Sequence, residues 1–143
     1  MPVYQCYSPK GLLTKSVKAK IAEEITSIHC NATGAPELYV NVLFQETSEG
    51  DCFVAGQPAA NSYIFGAIRH GRELATRQGM LRDLSEMWTR LTGQSDAEVL
   101  VALNEADPQN VMEAGLILPE PGMEQQWFEE NRARLTELGL MPT

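Results

Sequence analysis

The sequence predicts an α/β (α+β) fold. Two strand-helix-strand repeats form a four-stranded sheet with two helices on one face, followed by a C-terminal short helix, a turn and a last helix. Three observations predict it. Two apolar stripes at helical spacing are each flanked by short runs rich in β-branched and aromatic residues. Matching elements start at positions 3 and 62, 14 and 73, and 38 and 98, offsets of 59, 59 and 60 residues that mark an internal repeat. A long helical crossover favours parallel pairing of the strands it joins, with a right-handed connection.

The elements follow in order. Val3 to Tyr7 reads as a strand, closed by the turn residues Ser8-Pro9-Lys10-Gly11. Val17, Ile21, Ile25, Ile28 and Ala32 recur at helical spacing, with Thr14 as the cap and Gly34 as the stop. Leu38 to Gln45 reads as the next strand, with Leu38, Val40, Val42 and Phe44 on one face. A loop from Thr47 to Ala60 leads to the second repeat. There Ser62 to Ile68 is a strand and Glu73 to Leu91 a helix, with Leu74, Leu81, Leu84, Met87, Trp88 and Leu91 on its apolar side. Gly93 stops that helix, and Glu98 to Leu103 is a strand. Asp107-Pro108 opens a short helix ending at Gly115, with Asp as cap and Pro in the first turn. Leu118-Pro119-Glu120-Pro121-Gly122 is a rigid turn, and Glu124 to Leu138 is the final helix.

The chain has 143 residues, which corresponds to one domain over 1–143, with repeats at about 2–46 and 61–104 and an extension from 105 to 143. Hydrophobic residues make up 43% and charged residues 21%, an ordinary globular composition. The formal net charge of −8 argues against nucleic acid and anionic membrane surfaces as partners, because both are bound by basic patches. No apolar run is long enough to span a bilayer and the N-terminus lacks a signal peptide, so the expected location is the cytoplasm. Cys6, Cys30 and Cys52 are then expected as free structural thiols.

Several chemistries lack their residues. There is no dinucleotide-binding glycine motif. Gly66 and Gly71 have P-loop spacing, but Arg72-Glu73 follow where Lys-Ser/Thr is required. With only His29 and His70 and no paired-cysteine spacing, no metal is expected, and no cofactor. What remains is a scatter of candidates. Pro2 directly follows the initiator Met; Met removal before a small residue would leave a secondary amine at the start of a strand. An α-amino group titrates near ~7.7–8.0, so burial and nearby arginines would make it a base and a nearby carboxylate would keep it a cation. Arg69 and Arg72 flank the start of the second helix, where two cations oppose the helix dipole but suit a carboxylate; a solvated turn is the alternative. His29 lies on the flank of the first apolar stripe, as a core-edge residue or a charge partner, and Glu113 lies in the short helix, as an exposed carboxylate or a site acid.

Together these residues resemble the tautomerase superfamily, and within it the cis-3-chloroacrylic acid dehalogenase family. The resemblance spans nearly the whole chain. It rests on Pro2-Val3-Tyr4, on His29 with Thr33-Gly34, on Asn41-x-x-Phe44-Gln45-Glu46 and on Arg69-x-Gly71-Arg72. Met112-Glu113-x-Gly115-x-x-Leu118-Pro119-x-Pro121-Gly122 and Trp127-Phe128 complete it. The resemblance implies a homotrimer acting on a small unsaturated or enol carboxylic acid. It makes Pro2, freed of Met1, the catalytic amine that moves a proton. Arg69 and Arg72, helped by His29, bind the substrate carboxylate, and Glu113 activates water. One departure matters: Ala102 stands where the dehalogenases carry a tyrosine beside the water-activating glutamate. The expected activity is therefore tautomerisation or hydration with slow dehalogenation. Efficient dehalogenation, or a binding role if Met1 is retained, is the alternative.

Overall fold

The computed structural model describes residues 1–142. Strand β1 (Val3–Pro9) alternates buried and exposed residues, sending Tyr4, Cys6 and Ser8 inward. Helix α1 (Lys15–Thr33) starts as expected, Thr14 Oγ1 accepting from the Val17 N–H at 3.2 Å. It ends at Gly34, whose φ of 74° is left-handed and whose N–H donates to the Cys30 carbonyl at 2.8 Å. Strand β2 (Asn41–Thr47) begins later than the apolar alternation suggests. Glu37–Tyr39 form a 3-10 turn that leaves Leu38 exposed and buries Tyr39, while Val42 and Phe44 pack on the core as expected.

A small hairpin, β3 (Phe53–Val54) with β4 (Gln57–Pro58), occupies the loop between the repeats. Strand β5 (Ser62–Arg69), helix α2 (Leu74–Thr92) and strand β6 (Val99–Ala106) then repeat the first unit. In α2, Leu84, Met87 and Trp88 are fully buried and Met80 joins them, but Leu74 in the first turn is exposed. The sheet order is β2-β1-β5-β6. Each repeat pairs its own strands in parallel, and the two repeats meet through antiparallel β1 and β5, with Val3 opposite Ala67 and Tyr7 opposite Tyr63.

Both helices cover the same sheet face. Tyr4, Cys6, Ile64 and Ile68 from the central strands meet Ile21 and Ile25 of α1 and Leu84, Met87 and Trp88 of α2. Gly66 is required there by a close approach: a Cβ at that position would lie 2.6 Å from the Tyr4 ring. The other sheet face is bare. Leu43 and Leu100 are 55% and 49% exposed, beside Tyr7, Tyr63 and Phe65, whose rings contact one another.

The C-terminal part corrects the sequence reading. Asp107 caps only a 3-10 turn, Pro108–Asn110, through a 2.9 Å bond from the Gln109 N–H. A hairpin then follows, β7 (Met112–Glu113) with β8 (Leu116–Ile117). Ala114 and Gly115, between the two strands, have φ of 57° and 75°. Two consecutive left-handed residues suit a two-residue hairpin turn and cannot continue a right-handed helix. Glu113 thus sits on a strand. The last helix is two helices, α3 (Glu124–Glu130) and α4 (Arg132–Glu137), meeting at Asn131, with Leu135 fully buried beneath them.

Candidate active site

The ends of β1, α1 and β5 converge with the C-terminal extension around a cavity of about 420 Å³. Its polar lining comprises His29, Arg69, Arg72, Glu113, Glu124 and the backbone-proximal part of Met1; its apolar wall includes Tyr39, Ile68, Leu118, Trp127 and Phe128. Four of the five sequence-predicted site residues, His29, Arg69, Arg72 and Glu113, therefore line one cavity. The fifth, Pro2, is fully buried, and Met1, joined to its nitrogen, reaches the cavity instead.

His29 is buried in the last turns of α1 at 3% exposure. Its Nδ1 lies 2.8 Å from the Tyr4 hydroxyl of β1. Burial, and then the positive charges of Arg72, the N-terminus and Arg69, lower its pKa to about 4, so the ring is neutral at pH 7. When Nδ1 accepts from Tyr4, the ring proton resides on Nε2, leaving that nitrogen as a donor. Tyr4 was not singled out in the sequence; its place at an inward position of β1 was the available signal.

Arg69 ends β5 and Arg72 follows the turn at Gly71. Gly71 has φ of 104°, and a Cβ there would lie 2.7 Å from Pro121, so glycine lets the proline-rich turn close over this corner. That turn engages Arg69 directly. Arg69 Nη1 donates to the Pro119 carbonyl and Nη2 to Glu124 Oε1, both at 2.8 Å. Burial raises the Glu124 carboxyl, but backbone hydrogen bonds and the Arg69 guanidinium outweigh it and the net shift is downward. Among the described residues, no hydrogen bond or ion pair engages the Arg72 guanidinium. Burial first, then the like charge of Arg69, lowers its pKa against the opposing pull of Glu124, and the group stays a cation. Glu124 was missed in the sequence, where it reads only as the first residue of a helix.

Glu113 of β7 pairs with the Met1 amino group, and its negative charge also helps burial to raise the Tyr39 hydroxyl. The Tyr39 hydroxyl donates to the Leu140 carbonyl, tying the extension to the cavity rim, and within the extension the Trp127 Nε1–H donates to the Ile117 carbonyl at 2.8 Å. Ala102 does not line the cavity. It lies opposite Phe65 on the bare sheet face, so within one chain residue 102 is turned away from Glu113. Outside the cavity, His70, Asp107 and Glu120 bring three possible ligand atoms within 4.8 Å at the exposed end of the sheet. Cys6, Cys30 and Cys52 are free, and among the described residues no helix is long and apolar enough to cross a membrane.

Two β-α-β units sharing one sheet, with two arginines, a histidine and an acid gathered at the start of the first strand, define a protein of the tautomerase architecture. The chain belongs to the Tautomerase_3 family, described as "Putative oxalocrotonate tautomerase enzyme", which it matches over residues 1–132. It is therefore a member of an enzyme superfamily of the tautomerase type. It is similar to native Ps01740, at 41% identity over 78% of this chain and 99% of that one, with a TM-score of 0.77. It is also similar to N1, a member of the cis-3-chloroacrylic acid dehalogenase family, at 29% identity over 96% and 98% of the two chains and a TM-score of 0.87. A fused 4-OT wild-type asymmetric trimer, 20% identical over 80% of this chain and 94% of that one, shares the fold at a TM-score of 0.75. No curated protein matches the chain.

Proposed function

We propose that the protein uses the Pro2 amine, exposed by removal of Met1, to move a proton on a small enol or unsaturated carboxylic acid, with water addition as a secondary activity. The observation that carries this reading is the gathering of His29, Arg69, Arg72 and Glu113 around the point where the chain begins. Cleaving the Met1–Pro2 bond turns the Pro2 amide into a secondary amine at the point from which Met1 reaches the cavity and Glu113. A carboxylate neighbour favours the ammonium form, and the two guanidiniums favour the neutral base. The substrate carboxylate docks on the arginine corner with His29 Nε2–H as a further donor, which withdraws electrons from the α- and β-carbons. Proton transfer at the α-carbon needs only the amine and this anchor. Water addition at the β-carbon also needs Glu113 to take a proton from water. Because Ala102 supplies no hydroxyl, hydration and the dehalogenation of cis-3-chloroacrylate are the slower reactions.

The sheet face opposite the helices supports a homotrimer. It carries Leu43 and Leu100 exposed, and a fused 4-OT protein of the same fold assembles as a trimer. A tyrosine at position 102 would meet a Glu113 only across such a subunit boundary. Light scattering should give three chains per particle; a monomer at micromolar concentration refutes the assembly.

One observation favours a second reading. With Met1 in place, its amino group pairs with Glu113 and the Pro2 nitrogen is an amide without basicity. That form of the chain is a binding protein. N-terminal mass spectrometry coupled to tautomerase assays with an aryl-enolpyruvate separates the two. The expected result is a chain that begins at Pro2 and is active, and a form forced to retain Met1 that is at least 100-fold slower. Equal activity of the two forms removes the proline amine from the mechanism.

A further inference from the structure

We infer that Glu124 sets the charge of the acid this cavity accepts, by occupying one of its two arginines and so restricting the site to monocarboxylates. The inference rests on the functional reading above and goes beyond it. With Met1 in place the cavity lining carries five formal charges: the Met1 amino group, Arg69, Arg72, Glu113 and Glu124. Four of them are paired within the protein. The amino group meets Glu113, and Arg69 meets Glu124 at 2.8 Å. Arg72 is left as the one cation of the lining without a hydrogen bond or ion pair among the described residues, and it feels the charge of Glu124 only at longer range.

The Arg69–Glu124 pair forms part of the wall, with the Arg69 side chain the more buried of the two. That side chain is 14% exposed, and the Pro119 carbonyl takes a second guanidinium N–H at 2.8 Å, from the same turn that leads into α3. Both Nη groups of the Arg69 guanidinium are therefore already engaged, one by a Glu124 carboxylate oxygen and one by the Pro119 carbonyl, which leaves the fork little capacity for a second substrate carboxylate. A dianion entering this cavity would pair one carboxylate with Arg72 and bring the other against Glu124 in a partly buried setting. There it must either displace Glu124 from Arg69 or face its like charge. A monocarboxylate meets neither obstacle, and its uncharged end lies against Trp127 and Phe128. Glu124 is thus a specificity residue acting through Arg69.

Isothermal titration tests this with two acids of equal carbon number and geometry, isocrotonate and maleate, at mildly alkaline pH where maleate is a dianion. Wild-type protein should bind isocrotonate more tightly. Glu124→Gln, which keeps the size and loses the charge, should shift the affinity ratio at least tenfold toward maleate. Glu120→Gln removes a carboxylate from the same turn without touching Arg69 and should leave the ratio unchanged. Wild-type protein that binds maleate as tightly as isocrotonate overturns the inference without any variant. Binding of isocrotonate with an unchanged ratio in Glu124→Gln and in Glu124→Ala, or an equal shift in Glu120→Gln, overturns it too, and leaves the proposed function intact. If neither acid binds any form, the carboxylate anchor itself is wrong, and the functional reading falls with the inference.

Discussion

Tyr4 Oη and His29 Nδ1 lie 2.8 Å apart across the interface between the first strand and the end of the first helix, both side chains almost wholly removed from solvent. The contact joins the sheet to the cavity. Its ring-edge geometry, with centroids 5.8 Å apart and planes at 76°, fixes the imidazole in one orientation.

The buried ring gives a pH dependence of known sign. In the unfolded chain His29 binds a proton near 6.5, in the folded one only near 4. Between those values the unfolded state carries more protons, so stability falls as pH drops from about 6.5 to 4 and levels off below. The full shift corresponds to about 3 kcal/mol. Urea midpoints measured across this window should fall for the wild type and fall less for His29→Gln; parallel curves would exclude His29 as the source.

Gly66→Ala should destabilise the protein by ~1–3 kcal/mol, because the added methyl meets the Tyr4 ring at 2.6 Å and Leu103 at 2.8 Å in a packed core. Thermal melts read this directly. The displaced Tyr4 should also loosen His29, lowering activity more than Ala at a position such as Gly79, where nothing lies within 4 Å.

Arg69→Ala and Arg72→Ala should each reduce kcat/KM for an aryl-enolpyruvate at least ~10-fold, equivalent to ~1.4 kcal/mol of transition-state stabilisation. Their effects on folding should differ. Arg69 holds the Pro119 carbonyl and Glu124, so its loss should lower the urea midpoint. Arg72 is a desolvated cation beside another, and its loss should leave the midpoint unchanged or raised. Full activity in either variant removes that arginine from the site.

Glu113→Gln should separate the two reactions, abolishing water addition to cis-3-chloroacrylate while sparing much of the tautomerisation. An equal reduction of both would show that Glu113 serves a step they share. Ala102→Tyr should raise dehalogenation ~10-fold with little effect on tautomerisation, the low end of what one positioned polar group contributes to catalysis. That gain depends on subunit assembly, since residue 102 faces the bare side of its own sheet.

The repeats were legible because local patterns and tertiary packing agree. Thr14, Gly34 and Gly93 mark helix ends in sequence and cap them in the structure, and the inward positions of β1 and β5 form the core. The hairpins at Ala55-Gly56 and Ala114-Gly115 were not legible. Both turn residues of each pair adopt positive φ, but alanine carries none of the turn preference of asparagine or aspartate, so the Met112 to Gly115 segment read as helix. The site residues His29, Arg69, Arg72 and Glu113 were found through motif resemblance, since each alone has an ordinary structural explanation. Glu124 and Tyr4 escaped because their roles arise from partners 55 and 25 residues away in the chain, which no local pattern encodes.

The split origin of the cavity has a consequence for its mutability. Its histidine and both arginines sit in or beside the two β-α-β units, where a change also disturbs a sheet or a helix end. Glu124, Trp127 and Phe128 belong to a tail that lies outside the four-stranded sheet and is moored by a few contacts, among them buried Leu135 and the Tyr39–Leu140 bond. Mutations in that tail can reshape the cavity while the sheet and its register persist. Changes after residue 115 are therefore expected to reshape the cavity at little cost to the four-stranded sheet.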